Sequence, residues 1–299
     1  MLVNRPRFKA MVCGSRPLIR STTGVLCVIG HPIAHSLSPQ MHNAAIAALG
    51  MDLCYVAFDV PPEKLGCAVQ GMRGLGILGM NVTVPHKQAV VEYIDEVSEE
   101  ARLVGAVNTV KNEDGRLVGF NTDVYGILKS LEDAGLGVLP KQVAVLGASG
   151  AARGVVYALA SRPEVECVFV FNRTLQKAEE MSAVLAEATG KRICALPLED
   201  AHLRKHLGEC GLLVNATSVG MHPNVDASPL PDASVLHPGL VVYDAVFNPR
   251  TTKLLQQAGE SGCKAVSGIG MLVHQGAKSF EIWTGVKPPV DVMKQAVNA

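Results

Sequence analysis

Gln142-Val-Ala-Val-Leu-Gly-Ala-Ser-Gly-Ala-Ala-Arg-Gly154 decides the fold of the second half of the chain. An apolar run of strand length enters a glycine-rich turn that opens directly into a helix-forming stretch. Glycines there allow a tight turn and close backbone approach, and the first N–H groups of the helix face an anion such as a pyrophosphate. The G-x-G-x-x-G pattern is imperfect, because Ser149 and Ala152 hold its second and third glycine positions. Strand, turn and helix in sequence nevertheless mark Gly147, Ala148, Ser149, Gly150 and Ala151 as a dinucleotide loop.

The next strand ends Phe171-Asn172-Arg173-Thr174, with Lys177 one helical turn on. An NAD site would place a carboxylate here for the ribose 2′-hydroxyl. An amide, a guanidinium, a hydroxyl and an ammonium suit a 2′-phosphate instead, so NADP is expected over NAD. The plainer alternative is a solvated Asn-Arg turn with Thr174 capping the helix.

Outward from this core the same rhythm repeats. Leu212–Asn215 and Leu240–Tyr243 follow as strands, and upstream come Val25–Gly30, a helix over Gln40–Leu49, a strand over Leu53–Val60, a helix from Pro62 to about Met72 and a strand over Ile77–Val84. Alternating strands and helices predict βαβ units and mainly parallel sheets. Asp114-Gly115 interrupts the alternation as a hairpin turn. One amphipathic helix is predicted over Asp123–Gly137, linking two lobes, and Gly268-Ile-Gly270 precedes a last helical run over Met271–Thr284 that returns to the first lobe.

The chain has 299 residues, 48% hydrophobic and 18% charged, which suits two globular lobes. Lys plus Arg equals Asp plus Glu at 27 each, so the overall charge favours neither nucleic acid nor an acidic membrane surface. No apolar stretch is long enough to span a membrane. The eight cysteines form no CxxC pair and read as buried thiols of a reducing, cytoplasmic protein rather than a disulfide frame or zinc site. Arg5, Arg7, Lys9, Arg16 and Arg20 stand without an acid in the first twenty residues. Sparse serine and two prolines favour a disordered leader, or an early start ahead of Met11, over a targeting segment.

Polar residues collect at strand ends, where open α/β sheets assemble their sites. Gly30-His-Pro-Ile-Ala-His-Ser-Leu-Ser-Pro39 holds Ser36 and Ser38 in a stiff loop able to aim two hydroxyls at one carboxylate, with Ser38 also able to cap the next helix. Pro32 and Pro39 break the helix that a metal site of His31, His35 and His42 would need, so no metal is expected. In Asn81-Val-Thr-Val-Pro-His-Lys87 a proline opens a helix and puts Lys87 in its first turn, where the helix dipole favours loss of the proton. Asn108 and Asp123 end apolar strands, and Asp123 beside Lys87 would form a pair able to pass a proton. On the residues alone, Lys87 serves equally as a surface lysine, Asn108 as a turn residue and Asp123 as an N-cap.

Together these segments resemble the shikimate dehydrogenase family. The resemblance rests on His35-Ser-Leu-Ser-Pro39, Asn81–Lys87, Gly105-Ala-Val-Asn-Thr109, Gly119-Phe-Asn-Thr-Asp123, Gly147–Ala151, Asn172-Arg-Thr174, Asn215-Ala-Thr-Ser-Val-Gly-Met221 and Gly268-Ile-Gly-Met-Leu-Val-His-Gln275, in family order. It implies an α/β protein with an N-terminal substrate-binding catalytic domain over residues 25–123 plus 268–299 and a Rossmann-like, doubly wound NADP-binding domain over 124–267, after a basic leader over 1–24. It further implies that Ser36 and Ser38 hold a carboxylate, that Thr83, Asn108, Asp123 and Gln275 contact ring hydroxyls, and that Lys87 is the catalytic acid or base paired with Asp123. Asn172, Arg173, Thr174 and Lys177 would read the adenosine phosphate, and Ser218, Ala245 and Gly268 would line the nicotinamide side.

The implied reaction is reversible NADPH-dependent reduction of 3-dehydroshikimate to shikimate, in chorismate and aromatic amino acid biosynthesis, by a monomer or homodimer. Two features depart from that pattern. Phe247 stands where many members carry Tyr, and Asn248–Leu255 with Trp283-Thr-Gly285 resembles the quinate/shikimate branch. The alternative is therefore a quinate/shikimate dehydrogenase using NAD or NADP. A non-catalytic NADPH-binding sensor would be expected to lack Lys87 or Asp123, and both are present. A serine hydrolase would need glycine at 151 in its nucleophile elbow.

Overall fold

The computed structural model describes residues 19–298; of the expected basic leader, residues 1–18 lie outside them. In chain order the elements are β1 (Gly24–Gly30), α1 (Ser38–Leu49), β2 (Leu53–Asp59), α2 (Leu65–Gly74), β3 (Gly79–Val82), β4 (Glu96–Val97), α3 (Glu99–Val104), β5 (Thr109–Glu113), β6 (Arg116–Phe120) and α4 (Asp123–Asp133). They continue with β7 (Gln142–Leu146), α5 (Gly150–Ala160), β8 (Cys167–Asn172), α6 (Leu175–Thr189), β9 (Arg192–Pro197), α7 (Asp200–Leu207), β10 (Leu212–Asn215), β11 (Val241–Asp244), α8 (Lys253–Glu260), β12 (Lys264–Ser267), α9 (Ile269–Thr284) and α10 (Val290–Asn298). Two compact units result. Among the described residues, the first holds those up to Glu96, Thr109–Gly119 and those from Gly276 on; the second holds Val97–Asn108 and Phe120–Gln275. This division differs from the expected one at residues 97–108, 120–123 and 268–275.

In the first unit the strand order is β2-β1-β3-β5-β6-β4. β1 pairs in parallel with β2 and β3, whereas β3 pairs antiparallel with β5. Asp114 (φ 52°) and Gly115 (φ 93°) make the predicted turn between β5 and β6, both in the left-handed region that a two-residue hairpin requires. Leu26, Met41, Ile46, Tyr55, Met72 and Met80 fill the core. Inside it, Tyr55 Oη donates to Asn81 Oδ1 at 2.7 Å, and Asn81 Nδ2 donates to Thr109 Oγ1 at 3.2 Å and Ser279 Oγ at 3.1 Å. These bonds satisfy polar groups that burial would otherwise penalise.

Three local expectations are corrected here. Ser38 is the first residue of α1, and Leu37 is its cap, so the Ser38 side chain does not cap that helix. The helix foreseen at Pro62 is a 3-10 turn over Pro62–Lys64 running into α2. After Pro85 there is no α-helix; a 3-10 turn begins only at Ala89, so Lys87 precedes it and no helix dipole starts beneath Lys87.

The second unit carries six parallel strands in the order β12-β11-β10-β7-β8-β9. Renumbered from β7, that order is 6-5-4-1-2-3, the doubly wound arrangement whose switch point lies between the first and fourth strands. Burial on both faces explains why its strands read as unbroken apolar runs. Val143, Val145, Val168, Val170, Leu212 and Val214 face one helical layer, with Ile127, Val155, Leu159 and Met181, while Ala144, Leu146, Phe169, Phe171 and Leu213 face the other, with Leu203, Leu207 and Leu254.

Helix α4 buries Val124, Ile127 and Leu131 at helical spacing. It ends at Asp133 rather than Gly137, the chain passing through left-handed Gly135 (φ 81°). It belongs wholly to the second unit. Of the cysteines, Cys27, Cys167, Cys210 and Cys263 are buried as expected; Cys54 and Cys194 are half-buried and Cys67 is exposed.

Candidate active site

The parallel pairing of β1 with β2 and β3 brings three strand ends of the first unit to one edge. The loop with Ser36 and Ser38 leaves β1 there, and the segment with Thr83 and Lys87 leaves β3. The two run side by side: Thr83 N–H donates to Ile29 O at 3.0 Å and His31 N–H to Val84 O at 3.0 Å. A Cβ on Gly30 would lie 2.5 Å from Thr83 Cγ2, so only glycine permits this approach. The Ser36 hydroxyl accepts the Ser38 N–H at 3.3 Å, and Ser38 is buried.

His86, one residue before Lys87, was not singled out from sequence. It is buried, with Nε2 2.7 Å from Val60 O, and so ties the Lys87 segment to the residue after β2. Of the histidines considered for a metal, His31 pairs with Asp59 at 2.9 Å and His42 is buried in an aromatic stack. Among the described residues, no group of three or more His, Cys, Asp or Glu is arranged to hold a metal ion.

Asn108, Asp123 and Gln275, spread over 168 positions of sequence (108–275), meet in the second unit. Asn108 Nδ2 donates to Asp123 Oδ1 at 2.9 Å and to Thr122 Oγ1 at 2.9 Å, and lies 3.4 Å from Gln275 Oε1. Asn108 Oδ1 accepts the Thr122 N–H at 2.8 Å. Asn108 therefore braces the start of α4 instead of sitting as a turn residue. Asp123 is the first residue of α4 and not its cap, its N–H donating to Asn121 Oδ1 at 3.0 Å.

Two glycines allow this cluster to form. A Cβ on Gly126 would lie 2.8 Å from Gln275 Cβ and 2.9 Å from Met271 O, and one on Gly154 would lie 3.2 Å from Asp123 Cβ. Helix α4 thus packs closely against both α9 and α5. Lys87 belongs to the first unit and Asp123 to the second.

The glycine-rich loop sits at the switch point of the second sheet. Gly147 (φ 109°) adopts the left-handed backbone that favours glycine, and a Cβ there would lie 3.0 Å from Thr217 Cγ2 and 3.2 Å from Ala216 O. Ser149 caps α5: its hydroxyl accepts the Ala152 N–H at 3.4 Å and lies 3.4 Å from Ala216 O. A capping role accounts for this serine without nucleophilic chemistry. The N–H groups of Gly150 and Ala151 open the helix, where the backbone offers donors to an anion.

At the end of β8, Asn172 Nδ2 donates to Thr174 O at 2.8 Å and shapes the turn, leaving Arg173, Thr174 and Lys177 exposed. Thr174 is the cap of α6 by position, yet its side chain makes no capping bond. No carboxylate stands in residues 172–177. A Cβ on Gly268 would lie 2.6 Å from the carbonyl oxygens of Asp244 and Ala245, which brings Gly268 and Ala245 together. Left-handed glycine at the switch point, a capped helix start and an acid-free cationic strand end fit a phosphorylated dinucleotide such as NADP.

Sequence reasoning passed over a buried trio beside these residues. Asn215 ends β10, Asp244 ends β11 and Thr252 caps α8, each with no exposed surface. Asn215 Nδ2 donates to Asp244 Oδ1 at 2.8 Å, and Thr252 Oγ1 donates to Asp244 Oδ2 at 2.5 Å. Burial pushes the Asp244 carboxyl above its ordinary pKa, opposed by the bonds from Thr252, Val246 and Asn215. Trp283, one basis for the quinate/shikimate resemblance, packs against His42 and Tyr55 in the first unit and donates to Val110 O at 2.9 Å, a structural role.

The profile of the shikimate dehydrogenase substrate binding domain matches residues 28–110, and that of the shikimate 5′-dehydrogenase C-terminal domain matches residues 268–297. A shikimate dehydrogenase (NADP(+)) of Methanopyrus kandleri is 48% identical over 280 residues, covering 93% of this chain and 96% of the relative. A shikimate dehydrogenase solved in complex with NADP+ is similar with TM-score 0.86 and 42% identity, covering 94% of this chain and 96% of that one. A quinate dehydrogenase from Corynebacterium glutamicum, solved with NAD, is similar with TM-score 0.83 and 31% identity, covering 92% and 98%.

Proposed function

The chain belongs to the shikimate dehydrogenase family, and from that premise we propose that it is an NADP-dependent oxidoreductase interconverting 3-dehydroshikimate and shikimate. Identity of 48% to a relative named for NADP, over 93% of this chain, carries this reading. The first unit carries Ser36, Ser38, Thr83 and Lys87, the second carries the dinucleotide site together with Asn108, Asp123 and Gln275, and the enzyme works in the cytoplasm. Among the described residues no helix is long and apolar enough to cross a membrane.

Ser36 and Ser38 hold the substrate carboxylate, two hydroxyl donors from one stiff loop. Thr83, Asn108, Asp123 and Gln275 bind the ring hydroxyls. Gly147 to Ala151 hold the pyrophosphate; Asn172, Arg173, Thr174 and Lys177 hold the 2′-phosphate; Ser218, Ala245 and Gly268 line the nicotinamide side. Bound NADPH supplies the hydride.

As the C3 carbonyl is reduced, charge develops on its oxygen, and the Lys87 ammonium stabilises that charge and delivers the proton. In the oxidising direction Lys87 takes the proton back. Asp123, steadied by the Asn108 amide at 2.9 Å, orients the reacting hydroxyl. His86 anchors the backbone from which Lys87 extends.

Steady-state rates with shikimate and with quinate, each with NADP and with NAD, test the assignment. Shikimate with NADP is expected to give the highest kcat/KM. A higher kcat/KM for quinate with NAD would overturn the substrate and cofactor while leaving the family membership in place.

A further inference from the structure

We propose that Asn215, Asp244 and Thr252 form a buried positioning device for the nicotinamide half of the cofactor. The inference rests on the NADP-dependent reading above and adds three residues to which that reading assigns no contact with substrate or adenosine phosphate.

The geometry shows what the trio controls. Asn215 Oδ1 accepts both the N–H and the hydroxyl of Thr217, at 3.0 and 2.7 Å, and Thr217 Oγ1 in turn accepts the Val219 N–H at 3.1 Å. Those bonds fix the course of the segment that carries Ser218. Asp244 Oδ1 accepts the Val246 N–H at 3.0 Å, which fixes the segment carrying Ala245 and Phe247. Thr252 Oγ1 accepts the Leu255 N–H at 3.3 Å, so the same hydroxyl that binds Asp244 also starts α8. The carbonyls of Asp244 itself and of Ala245 both lie against Gly268.

One connected network therefore sets the two loops that leave β10 and β11. These are the loops assigned to the nicotinamide side, next to the switch point. The adenosine side hangs on β8 and α6 and, among the described residues, shares no bond with the trio.

Energetics favour positioning over bulk stability. A buried carboxylate bears a desolvation cost, and well-packed apolar groups of similar size usually stabilise a core as well or better. A satisfied network instead selects one loop conformation out of several. Removing one partner leaves a buried donor or acceptor unpaired and frees the loops it held.

Thr252→Val keeps the volume but removes the hydroxyl that donates to Asp244 and accepts from Leu255; Thr252→Ser restores both bonds. The measurements are kcat and KM for NADPH with 3-dehydroshikimate, and Kd for NADP+ and for adenosine 2′,5′-bisphosphate, which lacks the nicotinamide half. Thr252→Val is expected to lower kcat by about tenfold or more and to weaken NADP+, while adenosine 2′,5′-bisphosphate binds within about twofold of the wild type. Thr252→Ser is expected to recover most of the lost rate. Asp244→Asn keeps the shape and the Oδ1 acceptor and should give the same selective pattern at smaller size, so it stands in where Thr252→Val yields too little folded protein. Equal weakening of both ligands, or an unchanged kcat, overturns the proposal. A wild-type enzyme that binds NADP+ but does not turn over 3-dehydroshikimate overturns the functional reading instead, and the two binding measurements still judge the trio.

Discussion

Arg173 stands exposed just after β8, with Lys177 on the first turn of α6 and no carboxylate in residues 172–177. A guanidinium fork in that place gains charge-assisted bonds from a 2′-phosphate and little from a 2′-hydroxyl. Arg173→Ala should therefore raise KM for NADP by about tenfold or more while changing KM for NAD far less. An equal rise for both cofactors would remove Arg173 from phosphate recognition. Residues of this kind can be singled out from sequence because their chemistry and their place at a strand end agree. Asn108 was legible as a polar strand end, but its bond to Asp123 was not, since nothing local joins residues 108 and 123. Gly126 went unread, and Gly154 was read only as part of the glycine-rich stretch, for a related reason: what makes them necessary is the approach of other helices.

At the scale of elements, apolar periodicity located the strands of the second unit because burial on both faces leaves unbroken runs. The approach to α1 and the segment after β3 were harder to read, since proline there accommodates several turn types. Helix α1 is clamped through His42, whose ring stacks on Tyr55 of β2 at 4.2 Å and contacts Phe280 and Trp283 of α9. Neither His42 ring nitrogen has a hydrogen-bond partner among the described residues. Burial pushes the His42 pKa from 6.5 down to about 3. As pH falls below the ordinary value the unfolded chain takes up a proton that the folded chain refuses until about 3. The stability His42 permits is thus full above that ordinary value and is lost on descent towards the folded one. His42→Phe keeps the stack without the titrating group. Urea unfolding between about pH 6 and pH 4.5 should show the wild type losing about 1.4 kcal/mol more per pH unit than the variant. Parallel profiles would contradict this account of the clamp.

For the whole molecule, alternation of strands and helices predicted two α/β units, and the strand order 6-5-4-1-2-3 supplied the switch point at which the glycine-rich loop acquires its meaning. The exact division of the chain was less legible. Residues 97–108 join the second unit through contacts such as Arg153 Nε donating to Val104 O at 2.6 Å, a pairing that no sequence period announces. Whether the chain is a dehydrogenase of this kind turns on Lys87 doing the proton chemistry. Oxidation of NADPH by 3-dehydroshikimate, followed at saturating substrate for the wild type and for Lys87→Ala, tests it most directly. The wild type should turn over, and the variant should lose kcat by about a hundredfold or more with a smaller change in KM; a variant that keeps its kcat would contradict the account.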